Sequence, residues 1–370
     1  MGRERQTLEQ HCPGLEGALA KRTLAELERP GGDAIATFRA HGGPGLLVPA
    51  RLGGKGAGAL AAVRASRALG ARAPSLAIAT TMHHLTAVLI AELDLYGEKG
   101  AELLRDVARK GTLLASGFAE GRSGAGVLDA TARADAAPGG YRVTGSKKPC
   151  SLSASMGAVM VGVSLTGRPG QRGVAMIPAD APGIRRRPFW AAEVLGGAES
   201  DELVFEDVFV PADMTLVPET AESLGRVEVA ETVGLSWFEL LISAAYVGVA
   251  SALAERVIAA GKGVASERAL LAIELEGAAS ALEGVARRFE ADGPSVELLA
   301  HALLVRYAAQ RSVERAAMHA VELLGGVAFV RSNDVSYLLA ASRALALHPP
   351  NRLSMSDFVS DYLTGAFDGT

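Results

Sequence analysis

The chain of 370 residues has only two cysteines, few aromatics and no basic excess. Cys12 and Cys150 lie far apart with no metal-ligand spacing around them, so neither a disulfide framework nor a metal site is expected. A formal net charge of -4 gives no overall positive field to attract nucleic acid. The basic run Arg185-Arg186-Arg187 is short and reads as a solvated strand end. No segment offers the ~20 uninterrupted apolar residues that a bilayer-crossing helix needs. The stretch MGRERQTLEQHCPG lacks the apolar core of a secretory leader. Gln6 stands where N-myristoylation requires Ser or Thr. In GGKGAG (53–58) no Lys-Ser or Lys-Thr follows the glycines, so it is not a phosphate-binding loop. These absences point to a cytoplasmic protein with no membrane or nucleic-acid partner.

Hydrophobic residues nevertheless make up 49% of the chain, and with so few aromatics they are mostly Ala, Leu and Val, a composition that favours helix. The pattern changes character twice. Residues 7–111 read as helical: SLAIATTMHHLTAVLIAEL (75–93) is apolar almost all round, as a buried helix would be. From 112 the chain turns to short β-branched runs broken by Gly and Pro. Six strands are expected in TLLASGFA, LDATARADA, YRVTG, AVMVGVSLTG, RGVAMIP and DELVFEDVFVP. In the last, the apolar alternation slips by one residue, which predicts a bulge near Asp207. A small antiparallel barrel or sandwich fits this region. From about Glu222 long helical patterns return and should pack as an antiparallel bundle. The expected fold class is therefore α+β, with a helical domain over 1–111, a middle β domain over 112–221 and a C-terminal helical bundle over 222–370.

Five segments in this order resemble the acyl-CoA dehydrogenase superfamily, and the resemblance runs from about Gly45 to Gly365. GLLVPARLGGKGAG is similar to the family's entry segment, and GFAEGRSGAGVLDATARA stands where Thr-Glu-Pro-x-x-Gly-Ser-Asp is usual. GGYRVTGSKKPCSLSAS resembles the Gly-x-Lys segment that ends in Thr/Ser-Asn, ELVFEDVFVP the exit strand, and AVELLGG the late Ala-Val-Gln-x-x-Gly-Gly motif. The resemblance implies a fold of N-terminal helices, a small middle β-barrel and a four-helix-type bundle. It also implies a flavin, FAD first and FMN or a diffusible reduced flavin as the alternative, and a homodimer or homotetramer.

Site residues follow from the same resemblance. A flavin ring is flat and polar along one edge, so it favours small side chains and hydrogen-bonding groups at its rim. Ser151 takes the place of the hydroxyl residue at the flavin N5 edge, beside Cys150, with Pro149 where many members have Trp. Ser116, Phe118 and Ala119 match the segment at the pyrimidine side; Ala119 replaces a Thr and leaves only main-chain groups. Glu322, Gly325 and Gly326 match the Gln-x-x-Gly-Gly that lies near the dinucleotide, and Glu322 brings a negative charge there. The family's Arg-x-x-Phe-Gly is not visible. His83, Gly124 and Ala125 fall on the substrate side.

The catalytic base departs from the pattern. Dehydrogenation of an acyl thioester needs a desolvated carboxylate facing the α-proton, but Pro349 occupies the usual Glu position. Some relatives supply the base from the first long helix of the bundle. There the aligned position is Phe238, and the adjacent Glu239 is a lone carboxylate in an apolar stretch, to be read as a replacement base or as an exposed residue near a helix start. His348, in LHPPNR, resembles instead the His of the flavin monooxygenase branch, which can donate a proton in oxygen chemistry; its plain alternative is a cap or core hydrogen-bonder. The expected activity is thus desaturation of an acyl thioester carried on CoA or a carrier protein. The alternative is a two-component monooxygenase using reduced flavin, and the third reading a non-catalytic scaffold.

Overall fold

The computed structural model describes residues 1–121, 130–168, 170–218 and 221–366. Seven helices open the chain: α1 (Gly2–His11), α2 (Leu15–Ala20), α3 (Leu24–Glu28), α4 (Ala34–Ala40), α5 (Ala59–Arg72), α6 (Pro74–Glu92) and α7 (Gly97–Lys110). Thr23 and Glu26 form a reciprocal capping box that starts α3. Pro74 opens α6, where the missing N–H costs nothing.

Among the described residues eight strands follow: β1 (Leu114–Gly117), β2 (Arg133–Ala137), β3 (Gly140–Cys150), β4 (Ala158–Leu165), β5 (Arg172–Pro178), β6 (Ile184–Arg187), β7 (Asp201–Pro211) and β8 (Thr215–Leu216). They form one sheet in the order β6-β7-β3-β2-β4-β5-β8, with β1 also on β4. The sheet is mixed rather than purely antiparallel, because β1 and β2 both run parallel to β4. The expected bulge is present: between the Val143–Val208 and Gly145–Phe205 pairs β7 carries one extra residue, and Asp207 sits at φ 54. A second irregularity, between Lys147 and Cys150, spans Pro149, which has no N–H to give to the ladder. Arg185 and Arg186 on β6 are exposed and pair with Glu206 and Asp201 of β7, as a solvated strand end should.

The remaining helices are α8 (Ala221–Ala259), α9 (Ala265–Asp292), α10 (Val296–Leu324), α11 (Gly326–Arg331), α12 (Asn333–Ser342) and α13 (Ser356–Thr364). Helices α8, α9 and α10 pack on one another as a bundle, and α5 and α6 add to it by packing on α8. The α5–α8 contact is backbone to backbone. A Cβ at Gly70 would overlap the Ala245 carbonyl, and one at Gly248 would overlap the Arg67 carbonyl. Two helices, Pro74–Glu92 and Gly225–Ala259, are long and apolar enough by composition to cross a membrane, but their most apolar stretches are 89% and 94% buried within the protein. The hydrophobic core is continuous from the N-terminal helices through the sheet to the bundle.

Candidate active site

The strand end that carries the serines is anchored from below. Lys147 is fully buried and pairs with Glu120, which also accepts the Thr131 N–H at 3.0 Å and the Thr131 hydroxyl. Burial pushes the Glu120 carboxyl up, but the donors Lys147 and Thr131 outweigh it and hold the group below its ordinary range. Glu120 bridges Lys148, and the Lys148 N–H donates to the Ala119 carbonyl at 2.9 Å. Residues 119 and 120 therefore run beside Lys148 near the end of β3, while Ser116 is paired with Met160 of β4 and the Phe118 ring lies against Gly162 of the same strand. The Lys147–Glu120 anchor was not singled out on sequence; a Lys and a Glu in separate segments give no periodic signal.

Two groups at this ledge are engaged within the protein. Cys150 does not present its thiol to a ligand: it is fully buried, its Sγ lies 3.5 Å from the Lys147 carbonyl, and burial pushes the thiol up to about 12. Ala119 has its carbonyl occupied by Lys148, so that main-chain acceptor is already engaged.

The serine run has a second role that the sequence did not reveal. The Ser151 and Ser200 hydroxyls are 3.0 Å apart, the Ser153 hydroxyl donates to the Glu199 carbonyl at 2.7 Å, and the Ser155 hydroxyl donates to Glu199 Oε1 at 2.9 Å. The Leu152 N–H adds a bond to the Ala198 carbonyl. Leu152, Leu195 and Glu199 are left-handed, at φ 63, 62 and 54. Each such non-glycine residue costs ~1–3 kcal/mol and persists only where neighbours fix it; here Ser153 and Ser155 hold Glu199, and Leu152 is held by Ala198. A hydroxyl has one donor and two acceptor sites, so Ser151 keeps bonding capacity beyond Ser200. On its other side the 195–200 loop meets the helices. The Leu195 N–H donates to the Tyr337 hydroxyl at 2.9 Å, and Tyr337 donates to buried Glu28, which also accepts the Ser75 hydroxyl at 2.5 Å.

The helical side gathers the two candidate catalytic residues into one cluster. Glu239 on α8 is fully buried, so the reading of an exposed residue at a helix start does not hold. Its carboxylate lies 2.9 Å from Arg306 Nε of α10, in ion contact without hydrogen-bond alignment. Burial pushes this carboxyl up, to about 8, with Arg306 pulling the other way. As a base it would have to act from beneath a guanidinium rather than from an apolar pocket. Arg306 also donates to the Leu345, His348 and Pro350 carbonyls. The His348 ring meets the Tyr246 hydroxyl, 2.8 Å from Nε2, and the edge of Phe238. Burial and the nearby Arg306 bring the imidazole down to about 4, so it is neutral at ordinary pH. A groove of about 400 Å³ opens beside Tyr307, between α10 and α13, lined in part by Arg352, Met355 and Leu363.

The other expected residues separate. His83 is a clamp rather than a substrate contact: it is fully buried, Nε2 is 2.9 Å from the Pro44 carbonyl, and Nδ1 accepts the Leu114 N–H at 3.0 Å. Its neighbour His84 is equally buried, and both its ring nitrogens are without a hydrogen bond among the described residues. Adjacent histidines on an all-apolar helix could not be told apart by pattern. Glu322 and Gly326 are exposed at the end of α10, and Gly325, at φ 84, terminates that helix. Gly124 and Ala125 lie outside the described residues.

The Ser116 and Ser151 hydroxyls can each donate and accept a hydrogen bond, the chemistry that the polar edge of a flat heteroaromatic group requires.

Comparison with known proteins bears on this arrangement. The family described as "Acyl-CoA dehydrogenase, C-terminal domain" matches residues 224–348. The isobutylamine N-hydroxylase of Streptomyces viridifaciens is 44% identical over 367 residues, covering 98% of this chain and 97% of that protein. Among solved structures, FMN-bound TdsC from Paenibacillus sp. A11-2 superposes with a TM-score of 0.84 at 20% identity, over 99% of this chain and 98% of that one. The prolyl acyl carrier protein oxidase AnaB gives a TM-score of 0.84 at 18% identity, over 98% and 99%.

Proposed function

The chain belongs to the acyl-CoA dehydrogenase superfamily, and on that footing we propose that it is a flavin-dependent monooxygenase that N-hydroxylates a small aliphatic primary amine. The observation that carries this reading is the 44% identity to an amine N-hydroxylase along almost the whole of both chains. Two features of the chain support it. Pro349 stands where a dehydrogenase of this kind would keep its Glu, and Glu239 is turned onto Arg306. Desaturation of an acyl thioester, the first expectation from sequence, has a carrier-protein oxidase among the fold neighbours in its favour, at 18% identity. The amine reading draws on the far closer relative.

In this reading Ser116, Ser151 and the main chain at Phe118 hold the flavin ring. A reduced flavin, FMN by preference, supplies two electrons to dioxygen when bound. The balance is amine, dioxygen and reduced flavin to hydroxylamine, water and oxidised flavin. The chain's own part is to orient the amine, exclude water and hold a proton. His348 is suited to the last. In the tautomer whose Nε2 accepts from the Tyr246 hydroxyl, the neutral ring carries its single N–H on Nδ1, where it can donate a hydrogen bond to an oxygen. A homo-oligomer in the cytoplasm belongs to the same proposal.

The test supplies the purified chain with FMN, a flavin reductase and NADH in air, with isobutylamine or an acyl thioester as substrate. Hydroxylamine formation, followed by mass spectrometry, is the expected result. Anaerobic bleaching of bound flavin by the thioester, with no hydroxylamine from any amine, would restore the dehydrogenase. No affinity for any flavin would leave a scaffold.

A further inference from the structure

Arg306 is the centre of the helical cluster, and all three nitrogens of its guanidinium have an oxygen nearby. Nη2 donates to the His348 carbonyl at 2.7 Å and to the Leu345 carbonyl at 3.2 Å, while Nη1 donates to the Pro350 carbonyl. Nε lies 2.9 Å from the Glu239 carboxylate. The Tyr307 hydroxyl adds a bond to the Pro350 carbonyl at 3.2 Å, and the Tyr307 ring lies 5.4 Å from Arg306 Cζ. Three carbonyls within six residues of chain are thus gathered on one rigid fork, a geometry that the single point charge of a lysine cannot reproduce. The segment so held carries one imidazole, whose Nε2 is fixed independently by Tyr246.

We propose that Arg306 is a positioning residue for His348: it grips the 345–350 segment so that the imidazole meets the Tyr246 hydroxyl in one orientation, and Glu239 serves to orient Arg306 rather than to remove a substrate proton. The role assigned to His348 rests on the preceding reading of function; the grip on the segment does not. An ordinary buried arginine pinning a loop would have the same contacts, so the distinction lies in what its loss does to the histidine.

The experiment follows the His348 ring by NMR in the full-length chain with labelled histidine, its signal identified by its loss in H348Q. The coupling of flavin oxidation to hydroxylamine formation is measured alongside. E239Q removes the charge facing Nε but keeps an oxygen there, and should retain measurable turnover, which the loss of a catalytic base would abolish. R306M leaves a buried carboxylate unpaired and can fail to fold, so E239M/R306M, which removes both charges together, is the deciding variant. In it the His348 titration should move up by about one unit or more, toward the ordinary histidine value of roughly 6.5. Coupling should fall about tenfold, with hydrogen peroxide released in place of product. A folded E239M/R306M protein with unchanged His348 titration and unchanged coupling overturns the proposal, as does loss of all turnover in E239Q. If wild type makes no hydroxylamine yet the double variant still shifts the His348 signal, the functional reading fails and the grip of Arg306 on His348 stands.

Discussion

The Ser151 and Ser200 hydroxyls lie 3.0 Å apart, so the residue expected at the flavin edge is also fastened to the loop across from it. The two roles separate by mutation. Ser151→Ala keeps the volume nearly constant and removes the hydroxyl, and FMN affinity should fall by ~1 kcal/mol, roughly fivefold. Ser200→Ala breaks only the fastening and should leave affinity within about twofold. Fluorescence titration with FMN reads both; equal losses would mean that Ser151 acts through the loop alone.

Acid should destabilise the protein in a defined window. The His348 imidazole is brought down to about 4 in the folded chain, below its ordinary 6.5. The unfolded chain therefore takes up the proton first as pH falls. The stabilisation is complete above pH 6.5 and is lost as pH falls toward 4, by up to about 3 kcal/mol. Buried His83 and His84 are shifted in the same direction, so His348→Phe removes only one share. Urea unfolding at pH 7 and pH 4.5 should show a smaller difference between the two pH values in that variant than in wild type.

The α5–α8 contact predicts opposite effects for the same substitution at different glycines. Gly70→Ala and Gly248→Ala each drive a methyl group into a backbone carbonyl and should cost ~1–3 kcal/mol or more. Gly277, on α9, is exposed, and a methyl group added there would meet nothing within 4 Å. Gly277→Ala should stabilise by ~0.5–1 kcal/mol through helix propensity. Thermal unfolding of the three variants gives the signs directly.

Neither thiol should react in the folded protein. Cys12 and Cys150 are fully buried, and burial pushes them up to about 11 and about 12. Iodoacetamide at pH 8 should leave the native chain unlabelled and add two groups after denaturation. Labelling of Cys150 in the native state would place it at an accessible surface.

What the sequence made legible was periodic or contiguous. The buried helix around His83, the Asp207 bulge and the order of helices, strands and bundle all follow from local pattern, and the ordered motifs identified the family. The parallel pairing of β1 and β2 with β4 was not legible, because strand direction depends on connections that carry no local signature. The partners of Glu239 and His348 were hidden for the same reason. Arg306 is 67 residues from one and 42 from the other, and only the bundle brings them together. Even the serine run, conspicuous as it is, gave no sign of Glu199 and Ser200, which lie on a separate loop.

The 195–200 loop has a consequence for recombining this protein with its relatives. The sheet holds it through Ser151, Ser153 and Ser155, and the helices hold it through Tyr337 and Glu28. A chimaera that imports residues 112–218 from another member would bring a foreign loop to the native Tyr337, Glu28 and Ser75. Those three positions lie in three different helical segments, so they would have to travel with the graft. The β segment is thus not an exchangeable cassette, and successful hybrids should be those in which the distant trio comes from the same parent as the loop.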